Sequence, residues 1–242
     1  LALGVRRIVI DPGHGGSDFG ALGSIEGVYE KDIVLSIAKR LSAKIKESLG
    51  CEVILTRTDD RYLSLEERTA IANTKNADLF ISIHTNSVKS QRAYGIETYY
   101  LNLATDDDAI MLAAKENATS TRNISDLQDI LKDLMQNTKI HESSRLATYT
   151  QASMVEGLKR QYDKIKDKGV KQAPFYVLLG AQMPSILVET SFISNQRECE
   201  RLSSDTYQDA IGDAIIAGIR SYIKETNPTA LENRKHRSGT HG

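Results

Sequence analysis

Arg7-Ile8-Val9-Ile10-Asp11-Pro12-Gly13-His14-Gly15-Gly16 is the stretch whose reading decides the fold. Its apolar run stops at Pro12-Gly13, the pattern of a buried strand that delivers its end into a loop. From Lys31 the period changes. Ile33, Ile37, Leu41, Ile45 and Leu49 recur every fourth residue, with Val34 and Ala38 beside them and Gly50 as a stop. That spacing gives a helix one apolar stripe and a glycine C-cap. Residues 52–56 read as a second strand. Ser64 and Glu67 form an S-x-x-E capping box opening a helix that runs to about residue 75. Residues 79–83 and 95–101 are expected as further strands, and so are two late apolar runs, 175–179 and 186–188. A helix over about 205–223 closes the chain.

Strands alternating with helices predict a single α/β domain, a mostly parallel central sheet flanked by helices on both faces. Between the fourth strand and the late ones, a crossover needs one helix. The sequence offers three, at about 105–118, 125–137 and 141–163, and Ser125 with Gln128 supplies a capping signal for the middle one.

The chain is 40 % hydrophobic and 26 % charged, enough for a substantial core and an ordinary solvated surface. A formal net charge of −1 provides no global field for nucleic acid or an anionic membrane, so no nucleic-acid partner is expected. No stretch reaches the roughly 18 consecutive apolar residues of a membrane span. Cys51 and Cys199 match no metal-binding spacing; they are expected as two buried thiols, although an oxidising compartment would permit pairing. Arg234, Lys235, His236 and Arg237 form a basic cluster in a tail, residues 227–242, expected to be disordered. The first residue is leucine, which reads as a mature or trimmed chain from which an export signal could have been lost, so composition leaves localisation open.

Ligands of open α/β sheets bind beyond the carboxyl ends of the strands. His14 follows the first strand there, His84 ends the third, and Glu189 ends the last, while Glu30 opens the first helix and turns back to the same rim. Taken singly, each has a plain structural explanation. His14 is a turn residue, Glu30 a carboxylate favoured by the helix dipole, His84 a core histidine and Glu189 an ion-pair partner. Four such coincidences on one rim favour a site. His14, Glu30 and His84 suit catalytic zinc, which takes three protein ligands and leaves one position open. Glu189 is then the carboxylate that moves the proton of the attacking water. The glycine loop lacks the ending of a P-loop, the third glycine of a dinucleotide fingerprint and any G-x-S-x-G elbow, and the chain has no H-E-x-x-H helix.

Residues 8–16, Glu30-Lys31-Asp32, Ser82-Ile83-His84-Thr85-Asn86 and residues 186–195 (ILVETSFISN) together resemble the N-acetylmuramoyl-L-alanine amidases of the amidase 3 family. The likeness runs from about residue 6 to 223. It implies a zinc enzyme that cuts between the lactyl group of N-acetylmuramic acid and the first L-alanine of peptidoglycan. His14, Glu30 and His84 match the family's metal ligands and Glu189 its catalytic glutamate. The resemblance also implies export, to the periplasm in Gram-negative members, and a role in separating daughter cells. Residues 1–226 would be the catalytic domain. The extra helices, about 104–138, are similar to the regulatory insertion of division amidases, in which a helix covers the site and lends the zinc a carboxylate. Activator proteins with degenerate LytM domains are expected to relieve that block. Glu116 is the candidate inhibitory ligand, the alternative being a solvated helix residue; Glu142 fits less well, since residues 141–146 look like the family's ordinary core helix. The apolar stripe at 125–137 is a candidate docking face for the activator. The competing readings are a zinc peptidase or deacetylase on a related wall substrate, and a wall-binding module that has lost catalysis.

Overall fold

A computed structural model of the chain describes residues 4–104, 106–124 and 139–226. Six strands form one sheet in the order β2-β1-β3-β6-β4-β5. They are β1 (Arg7–Pro12), β2 (Glu52–Leu55), β3 (Leu79–Asn86), β4 (Ile96–Leu101), β5 (Asp167–Ala173) and β6 (Ser185–Phe192). Every neighbouring pair is parallel except β4 with β6. The helices are α1 (Glu30–Leu49), α2 (Leu65–Thr74), α3 (Asp107–Glu116), α4 (Ile140–Lys159), α5 (Gln196–Leu202) and α6 (Asp205–Thr226).

Alternation along the strands divides the core into two layers. Ile8, Ile10, Ile81, Ile186 and Val188 face α1, α4 and α6, where Ile37, Leu41, Leu146, Met154, Ile215 and Ile219 close the larger cluster. Val9, Phe80, Tyr99 and Leu187 face the other way, against Ala109, Leu112 and Ala113 of α3 and Phe175, Val177 and Leu178. β3 and β6 are buried along their whole length, which is why they read as continuous apolar runs. α1 ends where expected, at Gly50 in the left-handed conformation, and the Ser64–Glu67 capping box is formed. Cys51 and Cys199 are both buried and are not joined in a disulfide. Among the described residues, no helix is long and apolar enough to cross a membrane.

Residues 175–179 are not a strand. Pro174 precedes them, and they form a short 3₁₀ turn (Tyr176–Leu178) that drops Val177 and Leu178 into the second cluster. The fifth strand is instead Asp167–Ala173, whose DKGVKQA sequence carries no apolar alternation; it is an edge strand, half-buried along most of its length. Helix α5, capped by Asn195, was also not anticipated. The helix expected at 125–137 and the tail at 227–242 lie outside the described residues.

Helix α5 carries a buried carboxylate that ties two strands together. Glu198 accepts hydrogen bonds from the backbone of Phe192 at 2.6 Å and Gly95 at 3.0 Å. Burial, outweighing those bonds, pushes its carboxyl up to about 7. A carboxyl with a raised native pKa holds its proton more tightly when folded, so stability falls as pH rises from about 4.5 to about 7. Glu198→Gln should flatten that part of the curve, by about 3 kcal/mol at most. Urea unfolding at pH 5 and pH 8 checks it; an unchanged pH dependence in the variant would refute the assignment.

Candidate metal centre and active site

The loop after β1 is held by two buried arginines. Arg57 donates to the carbonyls of Pro12 at 3.0 Å and Gly13 at 2.7 Å. Arg68 donates to Asp11 Oδ1 at 2.9 Å, to the Pro12 carbonyl at 2.8 Å and to the His14 carbonyl at 2.8 Å. A loop at the buried end of a strand leaves carbonyls without ladder partners, and the guanidinium's five fixed donors satisfy several of them at once. Burial alone would raise the pKa of Asp11, but Arg68, Thr56 and Ser82 hold it below the usual carboxylate range. His14 itself sits in the left-handed region, φ 57°. That is an uncommon conformation for a residue with a side chain, maintained here by the arginine clamp.

Close approach dictates two glycines. A Cβ on Gly13 would lie 2.3 Å from the His84 ring. One on Gly20, φ 65°, would lie 2.6 Å from His14 Cδ2 and 2.8 Å from Glu30 Oε2.

Glu30 is the first residue of α1 and is fully buried. Its Oε2 accepts from the Ala21 backbone at 2.8 Å and stands 3.3 Å from His14 Nε2. Its Oε1 accepts from the Thr85 backbone at 2.9 Å and stands 3.1 Å from His84 Nδ1. Asp18 lies 2.8 Å from His14 Nδ1, which orients the ring and leaves Nε2 facing the cluster. Glu116, the last residue of α3, brings Oε2 to 3.2 Å from His14 Nε2 and 3.1 Å from His84 Nδ1. One ligand atom from each of His14, Glu30, His84 and Glu116 thus lies within 4.8 Å of the others.

These atoms face one another without satisfying one another. His14 Nε2 and both Glu116 oxygens are buried and make no hydrogen bond of acceptable geometry among the described residues. Buried polar atoms are normally bonded, so a converging, unsatisfied set of two imidazoles and two carboxylates fits a cation at its centre. The electrostatics agree. Burial would lower both histidines, yet Glu30, Asp18 and Glu116 push His14 up to about 12, and Glu116 with Glu30 push His84 to about 9. Glu30 and Glu116 are held below the usual range, against their burial, by the histidines and Lys115. A field that retains two imidazolium protons is one that favours a divalent ion in their place.

Glu189 lies beside this cluster, opposite His84 in the β3–β6 register, and is fully buried. Neither of its oxygens has a hydrogen-bond partner among the described residues. Burial raises its pKa well above that of a free carboxylate, and Glu116 and Glu30 add to the rise while His84 and Lys115 oppose it. The structure therefore brings together all five residues singled out from the sequence. Glu142 pairs with Lys139 in an exposed position and is not among the clustered groups. Arg57, Arg68 and Asp18 were missed. Arg57 could have been found as a charged residue directly after a strand at the same rim; Arg68, inside a helix, gave no such signal.

Residues 8–221 match the family model described as N-acetylmuramoyl-L-alanine amidase. The chain is 37 % identical to Uncharacterized protein YqiI of Bacillus subtilis, over 91 % of this chain and 86 % of that one. It is 35 % identical to N-acetylmuramoyl-L-alanine amidase AmiC of Escherichia coli O6:H1 over 90 % of its own length, but spans only 53 % of AmiC. A solved N-acetylmuramoyl-L-alanine amidase from Clostridium difficile 630 superposes with a TM-score of 0.72 at 32 % identity, covering 92 % of this chain and 98 % of that one. With its mostly parallel sheet and its His/Glu cluster at the carboxyl rim, the chain belongs to the Amidase_3 family of N-acetylmuramoyl-L-alanine amidases.

Proposed function

We propose that this protein hydrolyses the amide between N-acetylmuramic acid and the first L-alanine of the peptidoglycan stem, using zinc held by His14, Glu30 and His84. The convergence of ligand atoms within 4.8 Å, with Glu189 beside them, carries the reading. Zinc bound there would supply Lewis acidity and lower the pKa of water toward 7. The remaining work belongs to the chain. The Ala21 and Thr85 backbone N–H groups fix the Glu30 carboxylate, Asp18 fixes the His14 ring, and Arg57 and Arg68 hold the loop that carries it. Glu189 accepts the proton of the attacking water at one of its unpartnered oxygens and returns it to the departing L-alanine nitrogen.

Glu116 is the inhibitory group in this reading. Its Oε2 stands equally close to both histidines, in the position a fourth ligand would take, and so competes with water for the open site. Residues 104–138 act as a regulatory insertion in the 1–226 catalytic domain. An activator with a degenerate LytM domain draws Glu116 out, and the apolar residues in the 125–137 sequence are the candidate segment for its docking. Wall amidases act outside the cytoplasm; we place this one in the periplasm, in daughter-cell separation.

A chelator tests the metal requirement. Cleavage of an N-acetylmuramoyl-tripeptide should disappear after treatment with EDTA and return with one equivalent of zinc. Hydrolysis that survives complete metal removal would rule the reading out.

A further inference from the structure

Two cavities open on the carboxyl rim of the sheet, one on each side of the end of α3. The first, about 310 Å³, reaches His14, His84 and Glu116 and is bordered by Asp18, Tyr62, Glu66, Arg68 and Tyr176. It offers no uncommitted cation, because Arg68 is consumed by Asp11 and the loop carbonyls. The second, about 570 Å³, begins at Lys115 and runs along Asn86, Glu97, Lys168 and Phe192, with Lys89 at its exposed margin.

The second cavity has a built polar floor. Glu97 is 1 % exposed and is the register partner of Glu189 across the antiparallel β4–β6 pair, so both project from the same face of the sheet. Its Oε2 is hydrogen-bonded and its Oε1 is held by ion pairing alone. Oε2 accepts from Tyr99 Oη at 2.5 Å and Asn86 Nδ2 at 3.2 Å, while Oε1 is paired with the Lys168 ammonium and has Lys171 at 3.6 Å. Lys171 is shared with Asp106 at 4.0 Å, and Asp108 also lines the cavity, so Lys168 and the exposed Lys89 are the cations that face an incoming group. The Lys168 stem lies over the Phe192 ring, its ammonium 4.8 Å from the ring centroid, and its side chain remains 21 % exposed on the cavity side. One of its three donors serves Glu97, and the others are available to a ligand.

The substrate has two unlike halves. The muramic sugar is uncharged beside the bond to be cut, whereas the stem peptide carries free carboxylates after its first alanine. An acidic cavity with two tyrosines suits the sugar; the second cavity, which sets Lys89, Lys115 and Lys168 against Glu97 and Asp108 and whose Glu97 is the register partner of Glu189, suits the anionic peptide. Resting on the amidase reading above, we propose that the second cavity is the stem-peptide subsite and that Lys168 reads the free α-carboxylate of the residue following L-alanine.

Titration calorimetry of the zinc-loaded protein tests this with two stem tripeptides, one bearing that carboxylate free and one with it amidated. Wild type should bind the free form about tenfold more tightly. Lys168→Met should bring the ratio to about one, and Lys168→Arg should keep it. Because Lys168→Met leaves Glu97 with one cation fewer, the double variant Glu97→Gln/Lys168→Met serves as the folded control and should show the same loss. A ratio near one in wild type, or a preference that survives in both methionine variants, would overturn the proposal. Hydrolysis of the corresponding muramoyl-tripeptides is followed in parallel with the zinc-loaded Glu116→Ala protein, in which the proposed block is removed. A Lys168-dependent binding preference without any hydrolysis would still support the carboxylate subsite while rejecting the amidase reading.

Discussion

Glu189→Gln should lower hydrolysis about 10³-fold or more, with zinc content and fold retained. The substitution keeps the volume of a fully buried side chain in β6 and removes only its ability to carry a proton. General acid–base groups contribute about 10²–10⁴ in rate, and this residue is assigned both transfers, so an effect near the middle or top of that range is expected. Stability should not suffer. The carboxyl is buried without a partner, its charged form is disfavoured, and a neutral amide in its place adds no charge to bury. The measurement is kcat on a defined muramoyl-peptide, with zinc stoichiometry and thermal unfolding as controls. A zinc-loaded, folded variant that keeps more than a tenth of the activity would remove Glu189 from the proton path.

Glu116→Ala should act in the opposite direction, raising basal hydrolysis about 10- to 100-fold. If Glu116 leaves the site open only 1–10 % of the time, removing it recovers that factor. The change is confined to the tip of α3, because Ala109, Leu112, Ala113 and Ala114 anchor the helix in the second core cluster. Asn117, the next residue, is also tied down, through the Pro174 carbonyl and the Tyr176 backbone N–H, both at 2.8 Å. The helix therefore stays folded when the carboxylate is gone. Zinc content separates the alternatives. Activity that rises with zinc retained supports inhibition, whereas loss of zinc and activity together would make Glu116 an ordinary ligand.

How much of this was legible in the sequence follows from burial. β1, β3 and β6 announced themselves because both their faces are covered, and their carboxyl ends fixed the rim on which His14, His84 and Glu189 meet. Glu30 was legible because a helix start places it there. β5 was hidden because an edge strand with a half-exposed surface has no need of alternating apolar residues, and DKGVKQA looks like a loop. The run at 175–179 misled for the converse reason: an apolar segment can bury itself as a turn when a proline stands at its entrance. The arginine clamp was least visible. Its bonds go to backbone carbonyls, and only tertiary packing brings Arg57 and Arg68 to the His14 loop. The meeting of α3 with the His/Glu cluster is tertiary placement that no local pattern encodes; the family resemblance, not the spacing, put Glu116 forward.

The most direct test of the central claim is mass spectrometry of the soluble products from purified sacculi digested by the zinc-loaded Glu116→Ala protein. Intact stem peptides that begin with a free L-alanine amine are expected, leaving glycan strands whose lactyl groups end in carboxylates. Peptides cut within the stem, sugars that have only lost acetyl groups, or no released peptide from a zinc-loaded, folded protein would contradict it.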